Sequence, residues 1–300
     1  MKTLYIIGGN GFLGKNMVDC LYNKYQITVF DKYIDTDFFL NPEKAVTVQM
    51  DMTNENIPAK YPTPDYIVNL ASIVTAERDI ALFDDLINTN LKVLLRLYER
   101  FKDDKELKLF VQFGSAEEYG NAEIPFDENV RECPNSPYAL VKQLTTNTGL
   151  MLYRNYGFPF TVVRPSNLFG PCQYEKKFIP YVINKLKKSD SLEVTACEQK
   201  RDFIHTTDFL DLFDKLLDYP SRCKGEIINI SSGKSVSLKS IIEFCKKELN
   251  SDSMINYGAL PYRADEIMDF KCDISKMRNI INEEIDIDVI GSLRDYIKAL

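Results

Sequence analysis

Positive charge is what this sequence is short of. Its 37 lysines and arginines face 44 aspartates and glutamates, a formal net charge of −7 over 300 residues. No basic run exceeds a few residues. Such a surface does not gather nucleic-acid backbones or anionic lipid, so neither is expected as a partner. An anionic ligand must instead be met by local Lys and Arg. Histidine is scarcer still: His205 is the sole one, so a Ser-His-Asp hydrolase has almost no material to be built from. The seven cysteines, at 20, 133, 172, 197, 223, 245 and 272, are odd in number, scattered and without a C-x-x-C. That usage suits reduced thiols in a cytoplasmic protein better than disulfides or a zinc site. There is no run of roughly eighteen apolar residues, the length a membrane span needs. Met1-Lys2-Thr3 leads straight into a strand-like run with no signal-peptide pattern. Internal repeats and low-complexity segments are absent too. The expectation is a cytoplasmic, metal-free globular chain of one large domain, or a domain with a smaller partner.

The chain does hold a regular alternation. Strand-like runs at 3–7, 27–30, 45–49, 66–70, 108–112 and 160–164 are separated by helix-like segments at 12–25, 79–102 and 136–155. Several strands are short and continuously apolar, as strands buried on both faces should be. Alternating strand and helix predicts an α/β fold: a doubly wound parallel sheet with ligands outside the carboxyl ends of its strands.

Gly8-Gly9-Asn10-Gly11-Phe12-Leu13-Gly14 lies between the first strand and the first helix. Glycines at this spacing allow a tight turn, a close approach of backbone N–H groups to a pyrophosphate, and close helix–sheet packing. The helix N-terminus adds its positive dipole end. Asp31 ends the second strand about twenty residues on, where a carboxylate accepts both ribose hydroxyls of an adenosine and repels a 2′-phosphate. NAD is therefore favoured, with Lys32 leaving room for NADP. Asp51 and Met52 follow the third strand and either contact the adenine edge or cap a turn. Leu70, Ala71 and Ser72 follow the fourth, where small residues let a cofactor lie against backbone. Asn90 is a lone polar residue in the 79–102 helix. It either bonds a loop near the cofactor or is a buried amide satisfied by backbone. That helix is apolar over more than one stripe, which leaves a second face for another subunit.

The fifth strand runs into Gly114-Ser115-Ala116-Glu117-Glu118-Tyr119-Gly120, which puts the Ser115 hydroxyl where ligands bind. In Pro134-Asn135-Ser136-Pro137-Tyr138-Ala139-Leu140-Val141-Lys142, Ser136 is suited to cap a helix and Pro137 to its first position. Tyr138 and Lys142, four apart, share one face. A nearby ammonium favours the phenolate, so Lys142 is expected to lower the Tyr138 pKa and tune it for proton transfer to or from a carbinol–ketone pair.

These motifs resemble those of the extended short-chain dehydrogenase/reductase family, the nucleotide-sugar epimerases, dehydratases and reductases. Gly8, Gly11 and Gly14 match its glycine motif, and Ser115, Tyr138 and Lys142 its catalytic triad. Arg164-Pro165-Ser166-Asn167-Leu168-Phe169-Gly170-Pro171 resembles the segment that closes over nicotinamide and begins the sugar-nucleotide site. Arg201-Asp202-Phe203-Ile204-His205-Thr206-Thr207-Asp208, Ile228-Asn229-Ile230-Ser231-Ser232-Gly233 and Tyr262-Arg263-Ala264-Asp265-Glu266 resemble later blocks. The resemblance implies a Rossmann-type NAD(P) domain over 1–170 and a smaller α/β region over 171–300 that binds a nucleotide sugar, with some crossover of the chain between them. It assigns Asn10, Phe12, Leu13, Pro165 and Asn167 to the cofactor, Lys142 to the nicotinamide ribose, and Ser115, Glu117 and Asn167 to the substrate. Arg201 and Arg263 fall to the diphosphate, and His205 becomes a packed structural residue. A homodimer through the 79–102 and 136–155 helices is implied as well.

Departures from the family pattern are Asn69 for its usual histidine and Val141 for its usual serine. A third departure bears on the reaction. The 4,6-dehydratases resembling this chain carry Thr-Asp-Glu or Thr-Ser-Glu after the fifth strand, the Asp of the first version being the acid where this chain has Ala116, while Ser115-Ala116-Glu117-Glu118-Tyr119-Gly120 is most similar to the 4-ketosugar reductases. The expected reaction is reduction of an NDP-4-keto-6-deoxyhexose, for surface-polysaccharide sugars. The rivals are a 4-epimerase on retained NAD, then a 4,6-dehydratase, then a non-catalytic nucleotide sensor.

Overall fold

Side chains on a strand alternate between faces, and each face of the main sheet carries its own core. In β1 (Lys2–Ile7) Leu4 and Ile6 enter one core, while Tyr5 and Ile7 enter the other. The computed structural model describes residues 1–39, 41 and 43–300. After β1 come α1 (Phe12–Leu21), β2 (Tyr25–Asp31), β3 (Val46–Gln49), β4 (Tyr66–Asn69), α2 (Phe83–Leu86), α3 (Val93–Phe101), β5 (Leu109–Phe113), α4 (Pro137–Tyr156) and β6 (Phe160–Pro165). The second half holds β7 (Asn167–Phe169), α5 (Phe178–Lys187), β8 (Leu192–Val194), β9 (Lys200–His205), α6 (Thr206–Leu217), α7 (Pro220–Cys223) and β10 (Ile227–Ile230). It closes with β11 (Ser235–Ser237), α8 (Leu238–Glu248), β12 (Ile255–Tyr257), β13 (Asp269–Phe270), α9 (Ser275–Ile281) and α10 (Val289–Ala299).

Seven strands form one parallel sheet in the order β10-β6-β5-β4-β1-β2-β3. The order reverses between β1 and β4, which opens the crevice where such sheets bind ligands. Helices α1, α6 and α9 cover one face, and α3 and α4 cover the other. The chain thus returns to the first sheet after residue 170, through α6, β10 and α9. The second region is built on β11, β9 and β13, with β7 beside β9, and on the separate pair β8–β12. Helices α5, α8 and α10 pack with it around Phe169, Ile183, Phe203, Ile241 and Leu293. Among the described residues no helix is long and apolar enough to cross a membrane.

The segment expected as one helix over 79–102 is jointed. A 3-10 turn at Ile80–Leu82 leads into α2, then a π-helical stretch at Ile87–Lys92, then α3. Asn90 sits in the π stretch and donates through Nδ2 to Leu86 O at 2.9 Å. That carbonyl is the one its own backbone N–H would take in an α-helix, so the side chain competes with the backbone and the turn widens.

Candidate active site

The strand ends and the second region enclose one cleft of about 930 Å³, a volume suited to a large organic ligand. At its β1 end, Gly8 adopts φ +77°, and a Cβ there would stand 2.7 Å from Ala71 N. A side chain is excluded both by conformation and by the neighbouring loop. Gly11 differs: a Cβ there would meet only Gly8 O, at 3.6 Å. Protein packing does not demand glycine at Gly11; the open cleft beside it does, if a ligand lies against the backbone. Asn10, Phe12, Leu13 and Gly14 complete this wall.

Asp31, at the end of β2, accepts from Asn10 N at 2.8 Å and stands on the cleft wall. Lys32 pairs with Asp51 at 3.1 Å. Asp51 also caps its own turn, accepting from Thr53 N at 3.0 Å and Thr53 Oγ1 at 2.6 Å. The Thr53 hydroxyl, then Lys32, hold its carboxyl down at about 2. Of the two readings of Asp51, the turn cap is present, and Asp51 and Met52 still line the cleft. Among the described residues, a 2′-phosphate at this end would face the carboxylates of Asp31 and Asp51 and the single cation of Lys32, itself paired with Asp51.

Ser115 follows β5 as the N-cap of a short turn, Ala116–Tyr119. Its Oγ accepts from Glu117 N at 3.2 Å, and the Glu118 carboxylate accepts from Ser115 N at 2.8 Å. Ser136 caps α4, accepting from Ala139 N at 3.1 Å, with Pro137 in the first turn. Helix α4 then brings Tyr138 and Lys142 to the same cleft wall as Ser115, Ser72, Pro165 and Asn167.

The electrostatics differ from the expectation for Tyr138. Burial pushes its phenol well above the usual value; the Ser115 hydroxyl pulls it back, Glu117 and Glu118 push it further up, and Ser72 draws it down slightly. Lys142 is not what sets it. Its Nζ lies 5.8 Å from the Tyr138 ring centroid and donates to Phe113 O at 2.8 Å. The lysine is 3% exposed, and burial lowers it to about 8, against a smaller opposing pull from Glu118. The spacing placed an ammonium one turn away, but a carbonyl at the end of β5 claims it.

Glu117 is solvent-exposed on the cleft wall, with protein crowded around its carboxyl. That crowding raises its pKa, while Arg201, Arg78, Arg263 and Lys177 act in that order to lower it. Arg263 and Lys177 line the cleft and carry no ion pair among the described residues. Arg78 pairs with Asp265 at 2.6 Å. Arg201 is bound to Glu266 and donates to Ile267 O at 2.7 Å, so it stands behind the wall rather than on it. Asn90 is also off the wall. Its Nδ2 is spent on Leu86 O and its buried Oδ1 has no partner among the described residues.

Lys177, Arg78, Gln173, Phe178 and Phe203 line the substrate end and were not singled out from sequence. Phe203 belongs to a recognised block and Phe178 opens α5; Arg78, Gln173 and Lys177 lie outside regular elements, with no periodic signal. His205 is structural. Its Nδ1 accepts from Thr207 N at 3.3 Å to cap α6, its ring meets Phe169 and Tyr296, and burial lowers its pKa.

The profile of the NAD dependent epimerase/dehydratase family matches residues 4–231. CDP-abequose synthase of Salmonella muenchen is 37% identical over 116 residues, 39% of this chain and 40% of that protein. GDP-6-deoxy-D-talose 4-dehydrogenase of Aggregatibacter actinomycetemcomitans is 27% identical over 288 residues, 95% of this chain and 92% of that protein. In structure, the UDP-N-acetylglucosamine 4-epimerase of Methanobrevibacter ruminantium, solved with UDP-N-acetylmuramic acid, superimposes with a TM-score of 0.89 at 25% identity, covering 99% of this chain and 97% of that one.

Proposed function

Since the chain belongs to the NAD dependent epimerase/dehydratase family, we propose that it is an NAD(H)-dependent oxidoreductase acting at C4 of a nucleotide sugar. Its reaction is the reduction of an NDP-4-keto-6-deoxyhexose. The observation that carries this reading is the convergence of Ser115, Tyr138 and Lys142 on one wall of the cleft. Burial raises the Tyr138 phenol, which favours the protonated form that gives a proton to a carbonyl oxygen. Ala116, buried beside Ser115, has no proton to donate to a departing 6-hydroxyl, which counts against a 4,6-dehydratase.

The cradle fits NAD. Gly8 and Gly11 clear the wall for a pyrophosphate at the α1 N-terminus, and the Asp31 carboxylate faces the site for ribose hydroxyls. When bound, NADH supplies the hydride that goes to the sugar C4. Tyr138 gives its phenolic proton to the C4 oxygen as negative charge develops there. Ser115 donates a hydrogen bond to the same oxygen, and Lys142, tied to Phe113 O, holds ribose hydroxyls. An acid and an oxyanion donor of this kind each lower a barrier by several kcal/mol. Arg263 and Lys177, free of ion pairs among the described residues, supply local cations for a diphosphate, with Arg201 behind them.

The division at residue 170, cofactor half then substrate half, goes with this reading. So does a homodimer: Leu140 and Leu144 on α4 are 44% and 45% exposed on one helix face, and sedimentation should return twice the chain mass.

The 27%-identical relative is named for dehydrogenation at position 4 of a GDP-bound 6-deoxyhexose, the reverse sense of the same chemistry. A 4-epimerase is the second reading, favoured by Asp31, since an epimerase retains NAD through its cycle. The test is NADH consumption by the purified protein with NDP-4-keto-6-deoxyhexoses. Stoichiometric NAD carried through purification, with sugar interconversion and no need of NADH, would reject the reductase in favour of the epimerase.

A further inference from the structure

Behind Ser115 lies a buried charge cluster, Glu118, Arg164 and Glu132, that does not line the cleft. Glu118 and Arg164 are both fully buried, and Glu118 Oε2 lies 2.6 Å from Arg164 Nη2. The same Oε2 accepts from Thr146 Oγ1 of α4 at 2.8 Å. Oε1 accepts from Ser115 N at 2.8 Å. Glu132 takes the second contact of Arg164 Nη2, at 2.8 Å. The Arg164 guanidinium lies 4.5 Å over the Tyr119 ring. Gly114 leaves room for all this: a Cβ there would collide with Glu118 Oε1.

Burying a carboxylate is expensive unless every lone pair is used. Glu118 spends three contacts on three elements: the turn bearing Ser115, the helix bearing Tyr138 and Lys142, and β6 through Arg164. The ionisable groups around the pair are few. Lys142 and Tyr138 face Glu118 from α4, Glu117 faces Tyr138 from the turn, Tyr119 of that turn lies under the Arg164 guanidinium, and Arg164 and Glu132 stand on the far side.

We propose that Glu118 is a positioning residue for the Ser115–Tyr138–Lys142 site. It fixes Ser115 through its backbone N–H, ties the turn to α4 through Thr146, one helical turn beyond Lys142, and is the anion set against the Lys142 side chain. The inference rests on the catalytic roles given above, but its test does not need turnover.

Glu118→Gln keeps an acceptor for Ser115 N and removes the charge. Lys142 then loses the carboxylate that opposes its desolvation. The readout is the titration of the Lys142 Cε resonance in protein labelled with carbon-13 lysine, assigned by its disappearance in Lys142→Met. The midpoint should fall from about 8 by roughly one pH unit, the size of effect a single buried charge exerts. Glu132→Gln, which removes a partner of Arg164 but leaves Glu118 charged, should leave the midpoint in place. If Glu118→Gln alone does not accumulate, the double variant Glu118→Gln/Arg164→Met removes both buried charges and is read the same way. A midpoint unchanged in the variant that lacks the Glu118 charge overturns the proposal, whatever becomes of activity. Absence of ketosugar reduction by the natural chain, with the midpoint still falling, would reject the reaction and leave the role of Glu118 standing.

Discussion

A buried ammonium should cost this protein stability, and the cost is measurable at one residue. Lys142 falls from 10.5 to about 8 through burial, which corresponds to about 3 kcal/mol of disfavour for the charged form. The sign follows from proton linkage. Between about pH 8 and 10.5 the unfolded chain holds a proton on this lysine that the folded chain has lost. Stability contributed by Lys142 therefore rises with pH across that window, and the penalty is felt in full below it. Lys142→Met keeps the length of the side chain and removes the charge. It also forfeits the hydrogen bond to Phe113 O, worth about 1 kcal/mol, although Gln112 Nε2 still reaches that carbonyl at 3.2 Å. The net expectation is a gain of about 2 kcal/mol at pH 7, a rise in Tm of roughly 4 °C, together with loss of turnover. At pH 10 most of the penalty is gone in the natural chain, so the two proteins should melt nearly together. Thermal melts of cofactor-free protein followed by circular dichroism at both pH values decide the matter. A variant that melts lower than the natural chain at pH 7, or an advantage that does not shrink at pH 10, would refute the reasoning.

Other substitutions separate the parts of the site. Tyr138→Phe should lower kcat by roughly 10²–10⁴-fold while NADH still binds with its natural affinity, read from the fluorescence of the bound nucleotide. Asp31→Ala removes acceptors for ribose hydroxyls and frees Asn10 N, so the Kd for NADH should rise by roughly 10–100-fold. The same change should narrow the discrimination against NADPH, because one of two facing carboxylates is gone. Arg263→Met should raise KM for the nucleotide sugar by roughly tenfold, with a smaller change in kcat; an unaltered KM would place the diphosphate elsewhere.

The strand and helix order was legible because buried parallel strands are written as short unbroken apolar runs, and β1, β4 and β5 have that form. Glycine spacing and the helix cap at Ser136 are local chemistry, and local chemistry survives in sequence; the cap that Ser115 makes shows only in the structure. What was not legible depends on partners far along the chain. Lys142 is held by a carbonyl 29 residues away, and Glu118 by an arginine 46 residues away. Spacing on α4 set Lys142 beside Tyr138 but gave no sign that both would be buried, so the direction of the tyrosine shift was misread. Asn90 was rightly seen as an odd polar residue; that its amide would widen the helix it sits in follows only once Leu86 O is known to be its partner.

The overall charge and the local charge of this protein pull in opposite directions, and the cleft shows how they are reconciled. A chain of net charge −7 repels a nucleotide sugar at long range, though beyond about 10 Å salt screens most of that field. At the cleft, four cations from separate segments surround Glu117: Arg78, Lys177 and Arg263 on the wall and Arg201 behind it. Two of them are neutralised by Asp265 and Glu266, neighbours on one loop. Counting Glu117, the protein groups at this end of the site sum to one surplus positive charge. A diphosphate brings more negative charge than that surplus, so its binding has to draw on guanidinium groups committed to the loop acids. The acid pairs therefore hold the protein side of the site near neutrality, and they keep the arginines oriented where a phosphate can compete for them.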